Sequence, residues 1–392
     1  MTSKVLDGNR AAAYGVLLSQ PDVVAVYPIT PQTALVEQLA RFHAEGLLKA
    51  EFIEVEGENS SMGIMFGASA AGGRVFTATS SWGLAFMNDG MMYCAGQRLP
   101  VVMVNATRET PSILAVAGGR QDIVSIRDAG WIQIDTETCQ EILDSILMAY
   151  RLAEDPDILL PVVISYDGFY LSYLSESVEI PGQGAVDKFF APVADLRRLK
   201  VVPGEPVSCG TICSHKLFAE YRYKHCAALE RVKTRLEAIE EEFASLFGRS
   251  YGGLVETYCV QDAEVMIITA GSCTGTARVV VDQARKEGQK VGLARIRVFR
   301  PFPFEKLRQV LQGKKAVGVI DQSVCLGWNC GHLFMELKAA LPDIVSKVPV
   351  LDFIDGLANL DITKENIGRV VEQTIRAMRG EQVPEVTWLP LE

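Results

Sequence analysis

The sequence predicts an α/β protein of two doubly wound parallel-sheet units, a larger one followed by a smaller one. Three observations predict it. Over the first 175 residues, short continuous apolar runs alternate with helix-like segments, the pattern of strands covered on both faces. The same alternation restarts near Ala263, after a long charged helix. The chain has 392 residues, 48% of them hydrophobic. That is long for one ordinary core and apolar enough for two.

Taken in order, Asp7 caps a helix through Ala11, Ala12, Ala13, Val16, Leu17 and Leu18. A strand over 23–27 is stopped by Pro28. Thr33 opens a helix through Leu35, Val36, Leu39 and Ala40. A strand over 53–55 precedes a small-residue helix over 60–71. Strands are expected at 75–79, 100–104 and 161–165, and a helix at 142–152. From 178 to 210 the chain is punctuated by Pro and Gly and lacks a regular pattern. It reads as an excursion over the surface or over a partner. In the long helix that follows, Leu229, Val232, Leu236, Ile239, Phe243 and Leu246 recur at spacings of three and four. That narrow apolar stripe is suited to packing on its own chain or on a neighbouring subunit. The second unit takes strands at 265–269, 292–298, 316–320 and 348–353, with helices at 276–286, 305–312 and 332–341. It spans about 130 residues, an ordinary domain size.

Lys and Arg number 38 against 48 Asp and Glu, a net charge of −10. No basic stripe offsets this, so a nucleic-acid partner is not expected. Residues 1–10 are polar, and the longest apolar runs, such as 158–164, read as single buried strands. A cytoplasmic protein without membrane insertion is therefore expected. The nine cysteines are odd in number and dispersed, which argues against a disulfide framework. Cys209-x3-Cys213 and Cys325-x4-Cys330 lack cluster spacing, and all nine are expected to be ordinary thiols. His215 and His225, beside Cys213 and Cys226, fit a plain loop and helix better than a metal site. No metal is expected on this chain.

Four stretches carry chemistry. Tyr27-Pro28-Ile29-Thr30-Pro31-Gln32-Thr33 sits where a strand ends and a helix begins, the place where open α/β sheets bind ligands. Two prolines fix the backbone, and Thr30 offers a hydroxyl and an N–H there; a rigid turn is the alternative. Glu54, Glu56 and Glu58 precede a helix nearly stripped of bulk, with Ser60, Ser61, Gly63, Gly67, Ala68, Ala70 and Ala71. Acidic residues favour a helix N-terminus, so capping explains them. Small residues also admit a close backbone or a planar ligand. A carboxylate on such an element can be held dry and share a proton with a ring nitrogen. Residues 77–84 run from a strand through a hydroxyl-rich turn into a helix, without the spaced glycines or lysine of a phosphate loop. Arg108 lies at a strand's C-terminal end. A guanidinium there either grips a carboxylate through two parallel hydrogen bonds or pairs with Glu109 or Asp122.

These stretches form one ordered pattern. Tyr-Pro-Ile-Thr-Pro at 27–31, Glu-Gly-Glu-Asn at 56–59, Phe-Gly-Ala-Ser-Ala-Ala-Gly at 66–72, Phe-Thr-Ala-Thr-Ser-Ser-x-Gly-Leu at 76–84 and Arg-Asp-x-Gly-Trp-Ile-Gln at 127–133 follow in register. Together with 160–169 and Leu-Phe-Gly-Arg-Ser-Tyr at 246–251, they resemble the alpha subunit of the 2-oxoacid:acceptor oxidoreductases of the pyruvate:ferredoxin type. The resemblance covers nearly the whole chain. It implies a thiamine-diphosphate-binding domain of pyrimidine type over 1–262, with a linker and helical extension from 178, and a transketolase C-terminal-like domain over 263–392. It implies thiamine diphosphate shared with a beta subunit that holds the diphosphate and Mg2+. Iron–sulfur clusters would sit on gamma- and delta-type subunits, with ferredoxin or another acceptor beyond them. The implied reaction is oxidative decarboxylation of a small-molecule 2-oxoacid to acyl-coenzyme A and carbon dioxide, with coenzyme A as cosubstrate. Residue by residue, Glu58 matches the glutamate that bonds N1′ of the aminopyrimidine, Ser81 and Gly83 line the cofactor, and Arg108 and Thr30 contact the substrate.

Two departures stand out. Where pyruvate-type relatives carry Ile-Trp-x-Asp-His, this chain reads Val116-Ala117-Gly118-Gly119-Arg120. Ala117 takes the tryptophan's place and Arg120 the histidine's. If Val116, Ala117 and Arg120 line the substrate pocket, volume is gained for a 2-oxoacid bulkier than pyruvate, such as phenylglyoxylate; otherwise the loop merely repacks. Ala358-Asn359-Leu360 replaces an expected Gly-Gly-Arg. The competing readings are a non-catalytic scaffold subunit and a half of another thiamine enzyme.

Overall fold

Every residue of the strands Val75–Thr79 and Val101–Thr107 is buried, which is why these runs are apolar without alternation. In the computed structural model, which describes residues 2–110, 113–194, 204–205, 210 and 212–391, they lie at the centre of a seven-stranded sheet. Its order is Val298–Arg300, Ile132–Asp135, Val162–Asp167, Val101–Thr107, Val75–Thr79, Val23–Val26, Glu51–Glu54. All pairs are parallel except that of Val298–Arg300 with Ile132–Asp135. Parallel strands put their C-terminal ends on one edge. The connections carrying Thr30, Glu58, Ser81 and Arg108 all leave from that edge, the ligand-binding side of such sheets.

A second sheet of six strands has the order Val386–Trp388, Val350–Ile354, Ala316–Asp321, Val265–Thr269, Val291–Ile296, Val255–Tyr258. Only Val255–Tyr258 runs antiparallel. The single strand expected at 292–298 is two. Val291–Ile296 stays in the second sheet, and Val298–Arg300 crosses to the edge of the first. The break falls at Arg297, which is fully buried. Its Nε donates to Glu141 at 2.7 Å and its Nη1 to Glu240 at 3.2 Å. Arg295 adds bonds of 2.7 and 3.0 Å to Glu141. The switch between sheets is thus made by ion pairs, which no hydrophobic period records.

The polar N-terminus is a strand, Thr2–Asp7, antiparallel to Ser175–Ile180. Asp7 does cap the helix Gly8–Ser19, accepting from Arg10 N at 2.8 Å. Much of the expected excursion is ordered too. Ser175–Ile180 is followed by the helix Gln183–Ala194, with Pro181 and Gly182 merely marking the corner between them. Phe189 of that helix packs edge-on against Phe243 at 5.4 Å. The remainder of the stretch, at 195–203 and 206–209, lies outside the described residues, Cys209 included. The long helix is His215–Phe247. Val232, Leu236, Ile239 and Phe243 are buried against this same chain, whereas Leu246 faces out. Gly248, at φ +74°, ends it by donating to Ala244 O at 2.8 Å.

Candidate active site

Glu58 is the first residue of the helix Glu58–Ala70, yet its side chain turns inward and the residue is 8% exposed. The room it occupies exists because the facing helix Ser81–Gly96 carries glycine at 83. A Cβ there would lie 2.6 Å from Glu58 Oε1 and 2.2 Å from Thr79 Oγ1. Among the described residues nothing hydrogen bonds or ion pairs with this carboxylate. The hydroxyls of Thr79 and Ser80 are buried without a partner. Native interiors rarely leave such groups unmatched without a ligand or function to account for them.

Arg108 follows the strand Val101–Thr107 and is also buried. Its Nη1 donates to Thr30 O at 3.0 Å, and its Nε is buried without a partner. Of the two carboxylates the sequence offered, Asp122 takes the Arg108 backbone N–H at 3.1 Å rather than the guanidinium. The guanidinium therefore keeps its charge for an external anion. Asp122, which the sequence offered only as an ion-pair partner of Arg108, is instead an acceptor shared by several donors. It also accepts from Ser81 N at 3.0 Å, Asn105 Nδ2 at 3.0 Å and Ile123 N at 2.7 Å. Burial pushes its pKa up to about 6, while those donors pull it back. Ser81, at φ +45°, is buried with its hydroxyl donating to Glu109 O. Thr30 is exposed on a turn held by Gln32 Nε2 on Tyr27 O at 2.9 Å and Asn9 Nδ2 on Pro31 O at 2.9 Å.

Glu58 and Arg108 face one cavity of about 380 Å3, walled otherwise by Ile29, Trp82, Phe86 and Leu114. Trp82 and Phe86 lie one turn apart on the outer side of a helix whose inner side is Leu84, Met87 and Met91. That excess of apolar bulk on the exposed side was the sequence signal for them.

The family profile described as pyruvate flavodoxin/ferredoxin oxidoreductase, thiamine diphosphate-binding, matches residues 14–241, and that of pyruvate:ferredoxin oxidoreductase core domain II matches 263–367. The chain belongs to the 2-oxoacid:ferredoxin oxidoreductases, as an alpha subunit. It is 41% identical over 390 residues to the alpha subunit of the NADH-dependent phenylglyoxylate dehydrogenase of Aromatoleum evansii, covering 98% of this chain and 94% of that one. It is 42% identical over 391 residues to the pyruvate synthase subunit PorA of Methanothermobacter thermautotrophicus, covering 100% and 99%. The solved 2-oxoglutarate:ferredoxin oxidoreductase of Magnetococcus marinus shares the fold, with a TM-score of 0.72 at 21% identity. That match covers 95% of this chain but spans only 65% of the other chain's length.

In this oxidoreductase subunit the loop 116–120 takes a course the sequence did not foresee. Val116 is exposed, and Ala117 O accepts from Glu109 N at 3.1 Å. Neither lines the cavity of Glu58 and Arg108. Arg120 is a clear correction. The chain turns into the helix Gln121–Ser125 and leaves Arg120 against the C-terminal ends of two strands, where it is buried, ion-paired to Asp135 and 4.0 Å from Asp167. Both carboxylates belong to strands of the first sheet, so its charge is spent within that sheet and does not face the cavity of Glu58 and Arg108. The two departures from the family pattern touch each other. Asn359 N donates to Gly118 O at 2.8 Å, and Ala358 N to Glu109 Oε1 at 3.2 Å. A Cβ on Gly118 would fall 2.7 Å from Asn359 Oδ1, so these segments repack as one unit. His225 is buried with Nε2 2.9 Å from Gly130 O, which accounts for it without a metal. Among the described residues no three His, Cys, Asp or Glu are arranged to hold a metal ion, and no helix is long and apolar enough to cross a membrane.

Proposed function

We propose that Glu58 binds the aminopyrimidine of thiamine diphosphate shared with a beta subunit, and that Arg108 and Thr30 bind the carboxylate end of a 2-oxoacid. The observation that carries this is the buried Glu58 side chain, whose carboxylate is unmatched among the described residues, sharing a cavity with Arg108, whose guanidinium pairs with no carboxylate among them and whose Nε is buried without a partner. The space beside Gly83 is filled by the Glu58 side chain itself, which leaves the open cavity of Glu58, Trp82, Phe86 and Arg108 to take a flat ring bearing nitrogen donors and acceptors. When bound, thiamine diphosphate supplies the chemistry that cleaves the bond between the 2-oxo carbon and its carboxylate. Glu58 holds the proton shared with N1′ on a carboxyl oxygen. Gly83 leaves the space for that contact, and Ser81 fixes the helix start behind it. Arg108 orients the substrate carboxylate, with Thr30 O fixing Nη1. Trp82, Phe86, Ile29 and Leu114 exclude water from the reacting atoms.

The assembled enzyme then oxidatively decarboxylates its 2-oxoacid to acyl-coenzyme A. The diphosphate and Mg2+ belong to the beta subunit, and iron–sulfur clusters to gamma- and delta-type subunits that pass electrons to ferredoxin or a similar acceptor. Exposed Trp82, Phe86, Met92 and Tyr93 on one helix, beside open Gly63 and Gly67 on the next, support a subunit contact there. Residues 1–262 serve as the pyrimidine-binding unit with its extension, and 263–392 as the transketolase C-terminal-like unit. The dispersed cysteines support a cytoplasmic location. The apolar, partly aromatic walls favour an aryl 2-oxoacid such as phenylglyoxylate over pyruvate.

The test is kinetic, on the assembled complex. Glu58→Gln should lower kcat by roughly 10²–10⁴-fold with assembly intact. Arg108→Met should raise KM for the 2-oxoacid roughly 10–100-fold. Full activity in Glu58→Ala would return the chain to a scaffold role, and faster turnover of pyruvate than of phenylglyoxylate would end the aryl assignment.

A further inference from the structure

Beyond the strand Ala316–Asp321 the chain makes a hairpin in which Cys325 and Cys330 oppose each other. The two form an antiparallel bridge, with Cys325 N donating to Cys330 O at 2.8 Å and Trp328 N to Cys325 O at 3.0 Å. Opposed residues of an antiparallel pair direct their side chains to the same side, with Cβ atoms roughly 4.5–5.5 Å apart. Their Cα atoms lie about 5.5 Å apart when hydrogen bonded, inside the range a disulfide spans. The Cβ separation is slightly wide, so closure needs a small movement. The loop can supply it. Leu326 and Trp328 are 76% and 73% exposed, and Gly327 and Asn329 sit at φ +92° and +51°.

The base of the hairpin, by contrast, is fixed. Gly331 N donates to Asp352 Oδ2 at 2.6 Å, and Leu333 N and Phe334 N each donate to the Asp321 carboxylate at 2.9 Å. Val324 exchanges bonds of 2.9 and 3.0 Å with the Gln121 amide. The two thiols are thereby kept opposite each other. Both are free in this structure, Cys325 half-buried and Cys330 buried.

We propose that Cys325 and Cys330 are a redox-modification site that closes to a disulfide when a peroxide is present. The Cys325 sulfur, the more accessible one, attacks a peroxide oxygen. The O–O bond breaks, and the departing oxygen leaves as water with the thiol proton, giving a sulfenic acid. The Cys330 sulfur then attacks the Cys325 sulfur. The S–S bond forms, the S–O bond breaks, and the hydroxyl leaves as water with the Cys330 proton. In sum, two thiols lose two electrons and one peroxide becomes two waters. Burial, then the charge of Asp352, pushes the Cys330 thiol up to about 11, which suits it to the second step rather than the first.

The purified complex decides this. It is exposed to hydrogen peroxide in the native state, alkylated and cut with trypsin. Residues 316–338 contain no internal Lys or Arg before Lys338, so both cysteines fall on one peptide. The expected result is that this peptide loses two hydrogens, takes up no alkylating group, and regains both sites after thiol reduction. In Cys330→Ser, dimedone should label Cys325. Full alkylation of both cysteines after peroxide, or a cross-link from this peptide to any other, overturns the proposal.

Discussion

A methyl group added at Gly83 would fall 2.2 Å from Thr79 Oγ1 and 2.6 Å from Glu58 Oε1, closer than any real contact. Gly83→Ala must therefore displace the carboxylate proposed to meet the cofactor. Activity of the complex is expected to fall on the order of 10²-fold, the scale of an ångström's misplacement. Gly63→Ala on the neighbouring helix meets nothing within 4 Å and should leave the isolated chain as stable or more stable by up to about 1 kcal/mol. Steady-state rates and thermal melts of both variants separate the two cases. Asp122 gives a pH test. Its folded pKa of about 6 lies above the unfolded value of about 3.9, so folding favours the neutral carboxyl. That stabilisation is whole below about pH 4 and is lost as the pH rises through 6. Asp122→Asn should gain on the wild type in urea midpoint from pH 4 to 7; parallel curves would contradict it.

Among the elements, the helix His215–Phe247 shows how much a stripe can and cannot say. Its period placed Val232, Leu236, Ile239 and Phe243 on one face, and these are buried. What they pack against includes the helix Gln183–Ala194, whose Phe189 touches both Phe243 and Phe247. Phe243→Ala removes the centre of that aromatic cluster and should cost about 3–5 kcal/mol, read as a lower urea midpoint of the isolated chain. Leu246, outward on the same helix and 42% exposed, should cost under about 0.5 kcal/mol when truncated.

At the scale of the molecule, the two sheets are bolted by charge as well as by apolar packing. Glu141, on a helix against the first sheet, holds both Arg295 and Arg297 of the strand pair that passes between sheets. Burial pushes its carboxyl up, but the two guanidinium charges outweigh this and hold it below the usual carboxylate range. Its contribution is therefore present above the unfolded value of about 4.3 and is lost as the pH falls through the lower folded one. Glu141→Ala leaves two buried cations short of a partner and should destabilise by about 3–5 kcal/mol. An unfolding midpoint unchanged by that substitution would show the ion pairs to be dispensable.

What the sequence by itself determined was the class of fold and which loops leave one edge of its first sheet. Short, mostly apolar runs such as Val75–Thr79 and Val101–Thr107, alternating with helix-like segments, fit strands covered on both faces, and both are fully buried strands. Thr30, Glu58, Ser81 and Arg108 follow such strands, so they gather at one sheet edge. These are local facts, carried by period and by the order of motifs. Only the tertiary structure decided which side chains meet. It brought Trp82, Phe86 and Leu114 to Glu58 and Arg108, took Arg120 away to Asp135, and joined Gly118 to Asn359. Each of those outcomes depends on residues far apart in the chain arriving at one point, and contacts of that kind leave no trace in a local pattern.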